Sequence, residues 1–181
     1  MLRMAGGKPE AGLPVWRLNQ VMTIIQERFQ KLSDEGRKVP LVWSTMHMHS
    51  AAQLRKLVAM KRGLNPEFAG LVCVFHDIYT LHTGETGEHS EKAGPYVREI
   101  VEEYNERWGD KLSTISDEEI EEIINAIRGH SDKNGVSNDP YIELLKDVDS
   151  LDSYLHGFEA WEKSGRLSRR DRTALEFGIK F

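Results

Sequence analysis

Apolar residues recur along most of this chain at alternating spacings of three and four, the period of an amphipathic helix. Val15, Leu18, Val21, Met22, Ile25, Phe29 and Leu32 predict a first helix ending near Gly36. Pro40 suits a first helical turn and opens a second helix, expected to run to about Arg62 and close at Gly63. Asn65 and Pro66 supply an N-cap and a first helical residue for a third helix, which carries the apolar run Leu71 to Phe75 into the adjacent pair His76-Asp77. Thr80 to Glu88, rich in Gly and Thr, reads as a loop bearing His82. A fourth helix from His89 to Trp108 places Ala93, Tyr96, Val97, Ile100 and Tyr104 on one stripe, with His89 at its head. Ser116 and Glu119 spell a capping box for a fifth helix, whose stripe Ile120, Ile123, Ile124 and Ile127 leads to His130. After a turn-rich loop from Asp132 to Pro140, a sixth helix is expected from Tyr141 to Lys163, and Ser168 is a candidate cap for a short last one. No stretch reads as a strand. The expectation is an all-α bundle of about six or seven helices over residues 15–181, preceded by a Gly- and Pro-rich arm at 1–14.

Composition narrows the chemistry. A chain of 181 residues can bury a sizeable core without staples. A net charge of −5 provides no basic footprint for non-specific nucleic-acid binding, so an anionic ligand must be attracted by local cations or metal. The single cysteine, Cys73, lies in the apolar run and excludes an internal disulfide; a buried core role in a reducing compartment is expected. No apolar span is long enough to cross a bilayer, and the cytoplasm is the expected location.

The His76-Asp77 pair is the chemical focus. An ionisable pair at the end of a buried run is costly unless compensated, and a metal ion is one compensator. Imidazole nitrogen with carboxylate oxygen suits Mn, Fe, Co, Ni or Zn better than Mg. His47 and His49 share a helix but differ by about 200° in direction, so at most one can face a given site. His89 and His130 stand on the inward faces of later helices. On the sixth helix, Asp147, Asp149 and Asp152 compete for one inward role.

The order His49 … His76-Asp77 … Asp149 resembles the H…HD…D signature of the HD-domain metal-dependent phosphohydrolase superfamily. The segment from His49 to Ile78 is similar to the first two helices of that family, and LLKDVDSLDSYL to its last ligand helix; the alignment selects Asp149. HSEKAG and IRGHS resemble accessory histidine segments and pick out His89 and His130. The resemblance covers about Ser44 to Gly157. It implies His49, His76, Asp77 and Asp149 as ligands of one divalent ion, with His47 facing away. His89 and His130 would act either as phosphate contacts, the favoured role, or as ligands of a second ion. Catalytic work would fall to Asp77, His89 and His130.

Many family members follow HD with Ile-Gly-Lys, whereas Ile78-Tyr79-Thr80 stands here, so the phosphate-contacting Lys is missing. Lys92, Arg128 and Lys133 are candidates to replace it. The implied activity is hydrolysis of a nucleotide or other small phosphoester by metal-activated water. Two alternatives are a di-iron oxygenase of the same superfamily and a non-catalytic nucleotide-binding signalling module.

Overall fold

The computed structural model describes residues 16–157 and 165–181. The expected arm at residues 1–14 and the end of the sixth predicted helix, 158–163, lie outside the described residues. Among these the chain is all-α, with no strand and nine helical segments: α1 Trp16–Phe29, α2 Leu41–Lys61, α3 Pro66–Phe75, α4 Ile78–Thr83, α5 His89–Lys92, α6 Gly94–Trp108, α7 Asp117–Gly129, α8 Pro140–Leu155 and α9 Arg166–Glu176.

Helix α3 is the centre of the bundle. Every residue from Glu67 to Phe75 is buried, because α1, α2, α7 and α8 all pack against it. Each fully buried Leu, Val, Ile or Phe there contributes roughly 1.5–3 kcal/mol by leaving water. Asn65 caps it as predicted, accepting from the backbone N–H groups of Glu67 and Phe68. Gly70 allows close approach of α1, since a Cβ there would collide with the Leu18 side chain. Cys73 is buried in this core.

The segment count exceeds the expected six or seven because two predicted helices are interrupted. The third breaks at His76-Asp77: the His76 backbone N–H and its ring Nδ1 both reach the Cys73 carbonyl, at 3.1 and 2.6 Å, tightening the last turn. The chain restarts as α4 where a loop was expected. The fourth predicted helix breaks at Ala93, because Pro95 has no N–H to continue the ladder. At the other end of α4, Gly84 is left-handed (φ +77°), and a Cβ there would lie 2.7 Å from Arg37 Cβ. The Arg37 guanidinium closes this corner by donating to the carbonyls of Thr80, Leu81 and His82.

The capping box of α7 forms as the sequence predicts. The first helix ends at Phe29 rather than near Gly36, and α9 begins at Arg166 behind left-handed Gly165, so Ser168 is not its N-cap. The Arg169 side chain, almost fully buried, fastens α9. It donates to the Lys133 and Gly135 carbonyls, both at 2.7 Å, and pairs with Glu143 and Asp147 at 2.9 and 2.8 Å. No described helix is long and apolar enough to cross a membrane.

Candidate metal centre

The breaks in the helices converge on one cavity. Helix α2 contributes His47, the α3–α4 break His76 and Asp77, α5 His89, the end of α7 His130, and α8 Asp149. Two sets of donors result, His47, His76 and Asp149 in one and Asp77, His89 and His130 in the other. Within each set the ligand-type atoms all lie within 4.8 Å of one another.

His47 occupies the position expected for His49, which requires a correction. His47 is buried, with Nε2 3.1 Å from His76 Nε2 and 3.4 Å from Asp149 Oδ1. His49 is exposed on the other side of α2. The buried stripe of this helix runs through Ser44, His47, Met48, Ala51, Ala52, Arg55 and Val58, and His49 falls out of that phase. Of the three competing carboxylates on α8, Asp149 lies beside Nε2 of His47, on the side of the other donors, and Asp152 lies behind the ring at Nδ1. Asp147 instead pairs with Arg62 and Arg169, at 2.8 Å each.

The tautomers of all four histidines follow from their second nitrogens. His47 Nδ1 lies 2.6 Å from Asp152 Oδ2, His76 Nδ1 2.6 Å from the Cys73 carbonyl, His89 Nδ1 3.0 Å from the Thr86 carbonyl, and His130 Nδ1 2.5 Å from the Ile127 carbonyl. Carbonyls and carboxylates only accept, so each Nδ1 carries a proton and each ring, when neutral, presents an Nε2 lone pair. The Nε2 atoms meet head-on, at 3.1 Å between His47 and His76 and 3.2 Å between His89 and His130. Two facing lone pairs repel unless a cation, a proton or a metal ion, sits between them. Neutral imidazoles oriented through their other ring nitrogen are the usual metal-ligand arrangement, and the donors present fit a divalent transition metal in both sets.

Asp77 joins the two sets. Its Oδ2 lies 3.3 Å from His76 Nε2 and 3.6 Å from His47 Nε2, while Oδ1 lies 3.4 Å from His89 Nε2. The backbone supports this placement: Glu88, immediately before His89, holds a left-handed conformation (φ +53°) that is uncommon for a side-chain-bearing residue.

The electrostatics show a site that draws in positive charge. Burial opposes ionisation of His47, yet its hydrogen bonds to Asp149 and Asp152 outweigh that and lift its pKa to about 9. His76 is likewise raised well above the usual range, because Asp77 overcomes burial. Burial would raise the carboxyl of Asp77, but His76, His47 and His130 hold it far below the ordinary value. Asp149 is also held well below, against burial, by Lys133, His47 and Arg166. His130 moves the other way: burial, Lys133 and His76 keep it neutral.

The surrounding cavity has a volume of about 350 Å³ and is lined by apolar Val39, Trp43 and Leu81 as well as by the donors. The Ser44 hydroxyl is buried in its wall with no hydrogen-bond partner among the described residues. The three expected phosphate contacts are not on this wall. Lys92 and Arg128 are exposed and pair with Glu88 and Glu91, at 3.0 and 3.6 Å. Lys133 is buried, with Nζ 2.5 Å from Asp149 Oδ2, so it secures a carboxylate. His82 turns away and stacks on Tyr96, with ring centroids 5.0 Å apart. Sequence reasoning turned His47 away from the site, weighed Asp152 only as a rival of Asp149, and did not single out Trp43 or Arg166. The phase of α2, which decides His47, is set by packing against α3 and α8 rather than by local pattern.

The fold and site define an all-α protein with His/Asp clusters able to hold metal. The HD domain family model matches residues 45–154, more than half of the chain, and the chain belongs to the HD-domain family, which marks it as a member of the metal-dependent phosphohydrolase superfamily. No curated protein and no solved structure gives a significant match.

Proposed function

We propose that the protein is a metal-dependent phosphohydrolase that cleaves a nucleotide or other small phosphoester at a two-ion centre. The observation that carries this reading is Asp77, whose two oxygens face different donor sets. His47, His76 and Asp149 would hold one ion and His89 and His130 the other, with Asp77 bridging. Such ions supply Lewis acidity toward a phosphoryl oxygen and lower the pKa of water from 15.7 toward about 7.

The chain's own groups have distinct tasks. The neighbouring imidazoles of His76, His47 and His130 hold the Asp77 carboxyl far below its ordinary value, so it suits a bridging ligand better than a proton acceptor. His89 and His130 were expected foremost as phosphate contacts. Their Nδ1 protons are already donated to Thr86 and Ile127, so each neutral ring presents Nε2 to the cavity as a lone pair rather than as a donor to phosphate. Ligation of a second ion is therefore the better assignment. Asp152 and Lys133 act behind the ligands, fixing the ring of His47 and the carboxylate of Asp149. The cavity volume lies in the range of small-molecule sites, and its apolar wall at Val39, Trp43 and Leu81 offers a surface for the body of the ester.

The bridging geometry also favours a second reading, a di-iron oxygenase. A single experiment separates them: metal analysis of the protein as isolated, followed by reloading the apo form with Mn, Fe, Co, Ni or Zn and assaying a phosphoester panel alongside oxygen consumption. Phosphate release without oxygen uptake supports hydrolysis. Iron dependence with oxygen uptake supports the oxygenase. Loading with two ions and no turnover of either kind would leave a non-catalytic binding module.

A further inference from the structure

The C-terminal helix α9 lies beyond the part of the chain matched by the family model, yet it reaches the cavity. Its first residue, Arg166, lines the cavity with Nη1 3.1 Å from Asp149 Oδ2. We propose that Arg166 is an anion-binding residue of the site, taking a non-bridging oxygen of a phosphoryl group; this rests on the phosphohydrolase reading above.

Three observations carry it. First, Asp149 Oδ2 is served by two cations, Lys133 Nζ at 2.5 Å and Arg166 at 3.1 Å, while Oδ1 faces His47. If Arg166 swings toward a ligand, Lys133 still neutralises that oxygen, so Asp149 is not left without a cation. Second, the site lacks another cation on the cavity wall among the described residues. Lys92 and Arg128 lie outside it, and Lys133 is committed to Asp149. Third, Arg166 is placed by a rigid support. Arg169, three residues on, is buried and fastens α9 to α8 and to the 133–135 loop. A guanidinium held at the rim of a metal cavity is suited to bidentate contact with phosphoryl oxygens.

The test uses the metal-loaded full chain, with inorganic phosphate as the binding probe and p-nitrophenyl phosphate as the turnover probe. Arg166→Ala, Arg166→Lys and the control Arg172→Ala, an exposed cation of the same helix, are compared with wild type. Arg166→Ala is expected to weaken phosphate binding by about ten- to a hundredfold, the effect of losing one charged hydrogen-bonding partner. It should raise KM more than it lowers kcat, and leave metal content unchanged. Arg166→Lys should recover part of the affinity, and Arg172→Ala should match wild type.

Unchanged phosphate affinity in Arg166→Ala overturns the proposal while leaving the hydrolase reading intact. So does loss of metal with no change in affinity per loaded site, which would make Arg166 a support of Asp149. Phosphate binding that depends on Arg166 without ester turnover would keep the anion site and sink the hydrolase reading. A wild-type protein that binds no phosphate overturns the proposal outright.

Discussion

The ring of His47 and the carboxylate of Asp152 lie 2.6 Å apart in the core, and this one contact fixes which imidazole nitrogen faces the other donors. Asp152 is one turn beyond Asp149 on α8, so a single helix supplies both a candidate ligand and the group that orients its neighbour. Asp152→Asn places an amide where an acceptor-only group stood. It should weaken metal affinity by about ten- to a hundredfold, the usual effect of losing such a partner, while the fold is retained. Metal titration of the apo variant measures this, and an affinity equal to wild type would remove Asp152 from the centre.

His47 and His49 offer a paired comparison on one helix. His47→Ala should abolish or sharply reduce metal loading. His49→Ala, at an exposed position, should leave loading unchanged and shift stability by no more than about 0.5 kcal/mol. Elemental analysis and thermal melts of the two variants decide the matter. The reverse pattern would restore the assignment made from the family signature.

That pair also shows how far the sequence could be read. The all-α class, the caps at Asn65 and Ser116 and the family were legible because each rests on local spacing or local chemistry. The phase of α2 was not. Val42, Met46, Leu57 and Met60 are exposed, while Ala51, Ala52 and Val58 are buried, so this helix is apolar on two sides and hydrophobicity cannot choose between them. Its direction is settled by packing against α3 and α8, which is long-range information. The helix break at His76-Asp77 was hidden for a related reason: the His76 ring pulls on the Cys73 carbonyl three residues back, a contact that depends on where the ring must point. The break at Ala93 has a local cause in Pro95, whose missing N–H is visible in the sequence. Arg166 could not be found from the family pattern, since it lies outside the matched segment.

The second donor set predicts a stoichiometry. Wild type reloaded with a saturating transition metal should hold two ions per chain. His89→Ala or His130→Ala should lower this toward one, with the first ion kept by His47, His76, Asp77 and Asp149. Retention of two ions in both variants would return His89 and His130 to a role at the substrate, as would a wild-type content of one.

Acid should loosen α9 before it unfolds the bundle. Glu143 on α8 joins the network that fastens this helix, accepting from Arg169 at 2.9 Å and from the Ser137 backbone at 2.9 Å. Burial alone would raise its pKa, but Arg169, the Ser137 N–H and Lys146 outweigh it, and the folded value lies below 4.5. A carboxylate with a depressed folded pKa contributes stability that is fully present above its unfolded value. That contribution is lost as pH falls through the folded one. The window therefore opens below about pH 4.5, near the unfolded value of a glutamate. Glu143→Gln should lower stability at pH 7 by roughly 1.5–3 kcal/mol, the range for a hydrogen bond to a charged group. It should also flatten the acid limb of the stability curve, so that the two proteins converge at low pH. Denaturant melts from pH 7 to pH 3, with hydrogen exchange over residues 166–176, follow both effects. An acid limb identical in slope for the two proteins would mean that Glu143 does not carry the pH dependence of α9 docking.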